Sequence, residues 1–144
     1  MTKNDIKKKA ATILVLRTCN ADMTSYHGFK WPKQGKVTCS DWKPNAECGN
    51  GLHGLPWGEG DGTLLDWNKD AVWIVVKVPV NTIVEIGGKV KFPAGTVVLC
   101  GNRKEATDYI VANGAQGRSV VGSLIAAGDR GTATAGDRGT ATAG

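Results

Sequence analysis

The sequence predicts an α+β fold, strand-rich, with a mostly antiparallel sheet and one or two short helices. Three observations carry that prediction. Two β-branched apolar runs, Thr12–Thr18 (TILVLRT) and Ala71–Val80 (AVWIVVKVPV), suit strands buried in a sheet. Alternating runs flank Gly87-Gly88, and paired glycines supply the positive φ angles of a two-residue hairpin turn. Only one segment, Arg103–Gly114 (RKEATDYIVANG), carries a convincing helical pattern.

Taken in order, a short polar start containing Lys7-Lys8-Lys9 leads into the first strand. The lysines followed by Ala10–Leu16 have the outline of a secretory start, but Arg17 interrupts it and no small-x-small cleavage site follows. The segment therefore reads as strand. Residues 19–70 read as irregular, apart from a short strand at Lys36–Ser40 (KVTCS). Within them Ala46–Gly62 (AECGNGLHGLPWGEGDG) holds six glycines and no apolar run long enough for a strand or helix. Leu52, Leu55, Trp57, Leu64, Leu65 and Trp67 recur too often for a slack linker. The expectation is a long, ordered Gly/Trp loop pinned over one face of the sheet.

After the strong strand, which stops near Pro79, the hairpin sets Ile83 and Val84 before the glycines and Val90 and Phe92 after them. Pro93–Gly95 reads as a turn into a last strand, Thr96–Cys100. In the helix Ala106, Tyr109 and Ile110 share a face, and Asn113-Gly114 is a suitable stop.

From Ala127 the chain reads AGDRGTAT twice and then AG. A short fixed period with Gly, Ala and Thr at set places predicts stacked β-coils, and two octads cannot bury a face without neighbours. This predicts the start of a β-solenoid-like repeat, against a flexible Gly/Ala tail as the alternative. The organisation expected is a globular head over 1–118, a connector over 119–126 and the octad tail over 127–144.

Composition narrows the function. The 144 residues suit one head domain, with 20 glycines and five tryptophans as the departures from average. The net charge of +5 is uneven: residues 1–43 carry nine basic and three acidic side chains, residues 44–75 one and five. The glycine-rich loop thus lies in an acidic island, and no continuous basic stripe supports nucleic-acid binding. No apolar run approaches the roughly 20 residues of a membrane span. The four cysteines, Cys19, Cys39, Cys48 and Cys100, read as reduced thiols of a cytoplasmic protein.

Two resemblances follow. The octad A-G-x-x-G-T-x-T resembles the repeat of bacterial ice-nucleation proteins, whose Thr-x-Thr pairs line a flat solenoid face; here Asp-Arg stands where an aromatic is often found. Ice binding needs many stacked threonines, so two octads do not suffice for it. Over residues 16–110, the order LRTC, GFKWP, Cys48-x-x-Gly51-Leu52-His53, VVKV and KVKF resembles an uncharacterised domain of phage and prophage proteins, often placed ahead of such octads. That resemblance implies a phage context inside a host cell and no established activity.

Candidate sites centre on the glycine-rich loop. Trp31, Trp42 and Trp57, with His53, are candidate anchors for a protein partner, because half-exposed Trp is enriched at binding hot spots. Cys39, Cys48 and His53 form a weak metal candidate spaced C-x8-C-x4-H, lacking the C-x2-C pair that structural zinc sites favour. CGNGL and GEGDG are weak phosphate loops, since neither sits between a strand and a helix and no Lys-Ser or Lys-Thr follows. Finally, a strand with Arg17, a G-x-G-L-His element and a strand carboxylate at Glu85 resemble the order in ADP-ribosyltransferases. That resemblance implies NAD as cofactor, with Arg17 holding its ribose, His53 stacking on nicotinamide and Glu85 orienting the ribose.

Two functions stand side by side. The preferred one is a non-enzymatic phage or prophage protein without a cofactor, whose head binds a macromolecular partner or caps a repeat tract. The partner would be a host protein, or a further copy through the repeat tail. The alternative is an NAD-dependent ADP-ribosyltransferase acting in phage–host conflict. Convergence of Arg17, His53 and Glu85 on one pocket would favour the enzyme; a solvent-facing Glu85 would remove it.

Overall fold

The computed structural model describes residues 11–25 and 28–125. The polar start with Lys7-Lys8-Lys9 and the octads lie outside the described residues.

Among the described residues seven strands form one antiparallel sheet: β1 (Thr12–Cys19), β2 (Gly35–Thr38), β3 (Leu52–Pro56), β4 (Val72–Pro79), β5 (Val84–Glu85), β6 (Val90–Phe92) and β7 (Ala94–Gly101). Helix α1 (Arg103–Ala112) follows, and the strand order is β2-β7-β4-β1-β3-β6-β5. The predicted class, strand-rich α+β on an antiparallel sheet with one helix, is the class observed.

The sheet is not flat, and the strand order shows why. β6 and β7 lie four strand steps apart, about 19 Å in a flat sheet at ~4.8 Å per step. Only Pro93 separates them along the chain, a reach of roughly 7 Å between Phe92 and Ala94. The sheet must therefore curl until its two sides meet at Pro93. There Phe92 pairs with Leu52 on β3 while Ala94 pairs with Thr38 on β2. An extra residue, Val98, opposite the Val75-Val76 step of β4 adds a bulge that increases the local twist. The expected turn Pro93–Gly95 is thus a corner within one continuous extended segment.

Curling gives the sheet an inner and an outer core, which is why β1 and β4 are apolar on both faces. Val15 of β1 and Ile74, Val76 and Val78 of β4 face inward with Trp31, Leu52, Phe92 and Val97. Leu14 and Leu16 of β1 and Trp73 and Val75 of β4 face outward, covered by Ala106 and Ile110 of α1 and by Leu55, Leu65 and Val120. The helix begins with a capping box: the Asn102 side chain accepts from the Glu105 N–H and the Glu105 carboxylate accepts from the Asn102 N–H. The hairpin is as expected, with φ of +84° at Gly87 and +70° at Gly88 between Ile86 and Lys89.

One expectation fails within the glycine-rich stretch. Leu52–Pro56 is a strand, paired with β1 on one side and β6 on the other. Its two leucines are too few to betray it by periodicity, and neighbouring strands on both sides impose it. At Gly54 a Cβ would stand 2.3 Å from Val15 Cγ1 and 2.9 Å from the Leu16 carbonyl oxygen, so this close approach of two strands requires glycine.

Candidate functional site

The largest structural irregularity lies where β1 and β3 part. Their ladder holds at Val15↔Pro56 and Leu16↔Leu55 and stops there. Continued, it would have brought Arg17 opposite Gly54 and then Thr18 opposite His53. Instead the carbonyls of those two residues accept from Arg17: Nε and Nη2 donate to the Thr18 oxygen at 3.2 and 3.1 Å, and Nη1 donates to the His53 oxygen at 3.0 Å. The guanidinium replaces the missing ladder bonds, so the backbone groups are satisfied while the strands splay.

The splay opens a cavity of about 780 Å³. Its lining joins β1 (Arg17, Thr18), the 25–31 segment (Ser25, Phe29, Trp31), the 39–51 loop and β3 with Leu64 and Leu65. Trp31 closes its inner side: it is 1% exposed, donates its indole N–H to Ser25 Oγ at 3.1 Å and packs edge-on against Phe29. The Arg17 guanidinium carbon lies 4.4 Å from the Trp31 ring centroid. Burial lowers the Arg17 pKa to about 10, and the nearby Cys19 thiol opposes that shift, so Arg17 remains a cation at neutral pH. The same burial pushes the Cys19 thiol up to about 11, against the pull of Arg17.

His53 lies half-buried on the rim. Its Nε2 accepts the Gly49 N–H at 3.2 Å, tying the loop to β3. Burial first, then the positive charges of Lys89, Arg17 and Lys91, depress its pKa to about 4, so it is neutral and an acceptor at pH 7. Lys91 is the residue that strand periodicity misjudges. It lies opposite His53 on β6 with its side chain away from the inner core, where alternation predicts solvent. The 42–51 loop folds over that side, so Lys91 is 0% exposed, with Nζ donating to Asn45 Oδ1 at 2.8 Å and the Gly49 oxygen at 3.0 Å. Its ammonium also lies 5.5 Å from the Trp42 ring centroid. No pattern in the sequence marks Lys91, Ser25 or Phe29 as neighbours of this cavity, because contacts across 20 to 80 residues create it.

The sequence-derived candidates divide accordingly. Arg17 and His53 meet, through the carbonyl of the latter. Glu85 does not join them: it is exposed on edge strand β5, outside the cavity lining. The trio implied by the ADP-ribosyltransferase resemblance is thus not assembled, and the reason is topological, since β5 is the outermost strand of its side.

Trp31 is a core residue and not an anchor. Trp42 and Trp57 are half-buried, each covered by a cation of its own chain, Lys91 over Trp42 and Arg118 at 5.4 Å over Trp57. The indole that reaches solvent is Trp67, 48% exposed and packed edge-on against Trp73. As for metal, Cys39 donates to Asp41, Cys48 accepts from Lys89 and His53 accepts from Gly49. Among the described residues no three His, Cys, Asp or Glu side chains gather as a ligand set, so Cys39, Cys48 and His53 do not converge.

The segment after the helix is packed onto the body. Arg118 pairs with Glu59 at 2.9 Å, Val120 is 7% exposed, and the Val121 N–H donates to the Gly58 oxygen at 2.8 Å. Leu124 and Ile125 then emerge exposed, as do Leu64 and Trp67 on the 62–67 turn that touches Val121. Among the described residues no helix is long and apolar enough to cross a membrane.

Comparison with known proteins places this architecture. The chain is 46% identical over 103 residues to an ice nucleation protein of Xanthomonas campestris pv. translucens, covering 70% of this chain and 7% of that protein. It is 39% identical over 119 residues to an ice nucleation protein of Pseudomonas fluorescens, covering 81% and 10%, and 37% identical over 105 residues to ice nucleation protein InaU of Pantoea ananas, covering 72% and 10%. The shared part is the N-terminal region of those proteins, and the chain spans a tenth or less of their length. No solved structure matches. The phage setting that one resemblance implied finds no support in these relatives, which are bacterial ice nucleation proteins. The family of the domain of unknown function DUF7666 matches residues 13–112, which takes in every strand and the helix, and the chain belongs to that family.

Proposed function

We propose that this domain is a non-enzymatic head that docks an octad-repeat tract and caps the open edge of its first coil. The observation that carries the reading is the packing of residues 118–122 onto the body a few residues before the octads begin at Ala127. A tract tethered at a fixed point presents its first coil to the adjoining surface, and that surface is apolar: Leu64, Trp67, Leu124 and Ile125 are all exposed near the exit. Stacked β-coils end in unpaired backbone groups, and an apolar cover there suppresses edge-to-edge aggregation. Likeness to a tenth of proteins named for ice nucleation supports the same role, a small head serving a long remainder.

The partner in this reading is the repeat tract itself, in the same chain or a further copy. The four free thiols suit a reducing compartment, in keeping with a cytoplasmic place for the head. The test is the solution behaviour of ten AGDRGTAT octads appended to the full chain, compared with the octads alone. Sedimentation should give one discrete species with the head and polydisperse aggregates without it. Leu64→Ser with Trp67→Ser should restore aggregation while the circular dichroism of the head is unchanged. Equal solubility of the tract with and without the head would refute the capping role.

A further inference from the structure

The cavity at the β1–β3 splay has a composition that capping does not explain. Its lining carries a guanidinium with no carboxylate of the described residues in ion-pair range: the ion pairs found there are Lys104–Asp108 and Arg118–Glu59. Arg17 is enclosed by protein and its partial exposure opens onto this cavity. Its bonds to the Thr18 and His53 carbonyls use three of five N–H groups, so two remain without a hydrogen bond among the described residues. Lys91, buried a strand away, also lacks a carboxylate, and Lys89 lines the rim. The carboxylate in the lining, Asp41, is already engaged by Cys39 Sγ and Asn50 Nδ2. Buried cations without counter-ions are costly unless an anion completes them.

Apolar Phe29, Leu52, Leu55 and Leu65 share the rest of the lining with polar Thr18, Ser25 and Asn50. A volume of about 780 Å³ falls in the range of small-molecule sites. We propose that this cavity binds a small organic anion, its carboxylate or phosphate oxygens on the free N–H groups of Arg17 and its flat apolar body against Phe29. A planar fork of donors matches either oxyanion, and Lys89 at the rim supplies attraction at long range. The site and the capping surface meet only at Leu64, since Trp67, Leu124 and Ile125 lie outside the lining.

The test is titration of the isotope-labelled full chain with phenyl phosphate, inorganic phosphate and benzyl alcohol, followed by amide and Arg Nε resonances. Phenyl phosphate should shift the Arg17 Nε and Gly54 signals saturably, on the order of tenfold more tightly than inorganic phosphate because the ring adds apolar burial. Benzyl alcohol should leave Arg17 Nε unmoved. Ser40→Trp, a change at an exposed lining residue, should block the mouth and abolish the shifts with the folded spectrum otherwise intact. Lys89→Gln should weaken binding by about threefold, the usual scale of a rim charge. Absence of saturable shifts at Arg17, equal affinity for inorganic phosphate, or unchanged binding to Ser40→Trp would each overturn the proposal.

Discussion

Arg17 bridges two parted strands with its guanidinium seated on Trp31: the guanidinium carbon lies 4.4 Å from the indole centroid while its nitrogens reach the Thr18 and His53 carbonyls. Substitution Arg17→Met keeps the stem but leaves both carbonyls without that donor, which costs about 2–4 kcal/mol for two such groups. Urea denaturation checks it. Arg17→Lys should recover only part of the loss, because an ammonium cannot span both acceptors in a plane. A loss below about 0.5 kcal/mol for Arg17→Met would show that the splay needs no clamp.

Trp31 is expected to behave as core. With 1% exposure and its N–H bonded to Ser25, Trp31→Ala should cost about 3–5 kcal/mol. Trp67→Ala, at 48% exposure, should cost about 1 kcal/mol or less. Thermal unfolding of the two variants side by side separates the roles, and acrylamide should quench Trp67 and not Trp31.

Gly54→Ala should destabilise by about 2–3 kcal/mol through overpacking against Val15 and the Leu16 carbonyl. Both neighbours belong to β1, whose pairing with β4 over eight residues prevents it from moving away. Pairing Gly54→Ala with Val15→Ala should recover part of the loss, since the nearest atom is Val15 Cγ1. Wild-type stability of Gly54→Ala alone would mean that β3 can withdraw freely.

His53 gives the protein an acid limb of stability. Its pKa is depressed to about 4 in the folded state, chiefly by burial, against 6.5 when unfolded. Between those values the unfolded chain binds the extra proton, so the contribution is complete above pH 6.5 and is lost as pH falls towards 4. Partial solvent exposure screens the effect, leaving about 1–2 kcal/mol. His53→Gln retains an acceptor for the Gly49 N–H and cannot titrate. Its stability should fall less steeply between pH 6.5 and 4 than that of the parent, and parallel curves would contradict this assignment.

Asn102→Ala should cost about 1 kcal/mol, because the cap satisfies the Glu105 N–H and holds the reciprocal bond in place. The loss should appear as faster amide exchange in the first turn of α1. No change in exchange there would place the helix start under tertiary control.

The fold was largely legible in the chain, and the reasons are local. Thr12–Thr18 and Ala71–Val80 are apolar on both faces because both faces are covered, and Gly87-Gly88 demands a turn that few other dipeptides make. β3 was not legible, because Leu-His-Gly-Leu-Pro carries neither an alternating nor a continuous apolar signal. Of the site, Arg17 and His53 were singled out in the sequence, though with a Glu85 that the structure places elsewhere. Lys91 did not, since a lysine alternating with Val90 and Phe92 is also what an exposed strand face looks like.

The sequence by itself determined most of the elements: the strands at Thr12–Thr18, Ala71–Val80 and Thr96–Cys100, the hairpin at Gly87-Gly88, and a helix that stops at Asn113-Gly114. These follow from periodicity and backbone chemistry within a few residues of each other. Only the tertiary structure decided that β6 and β7, one residue apart, stand on opposite sides of a sheet that curls to meet itself. That closure depends on strand order, which no local pattern encodes. It covers Trp31 and Lys91, sends Glu85 to an outer edge, and leaves a lone guanidinium in the lining of a cavity.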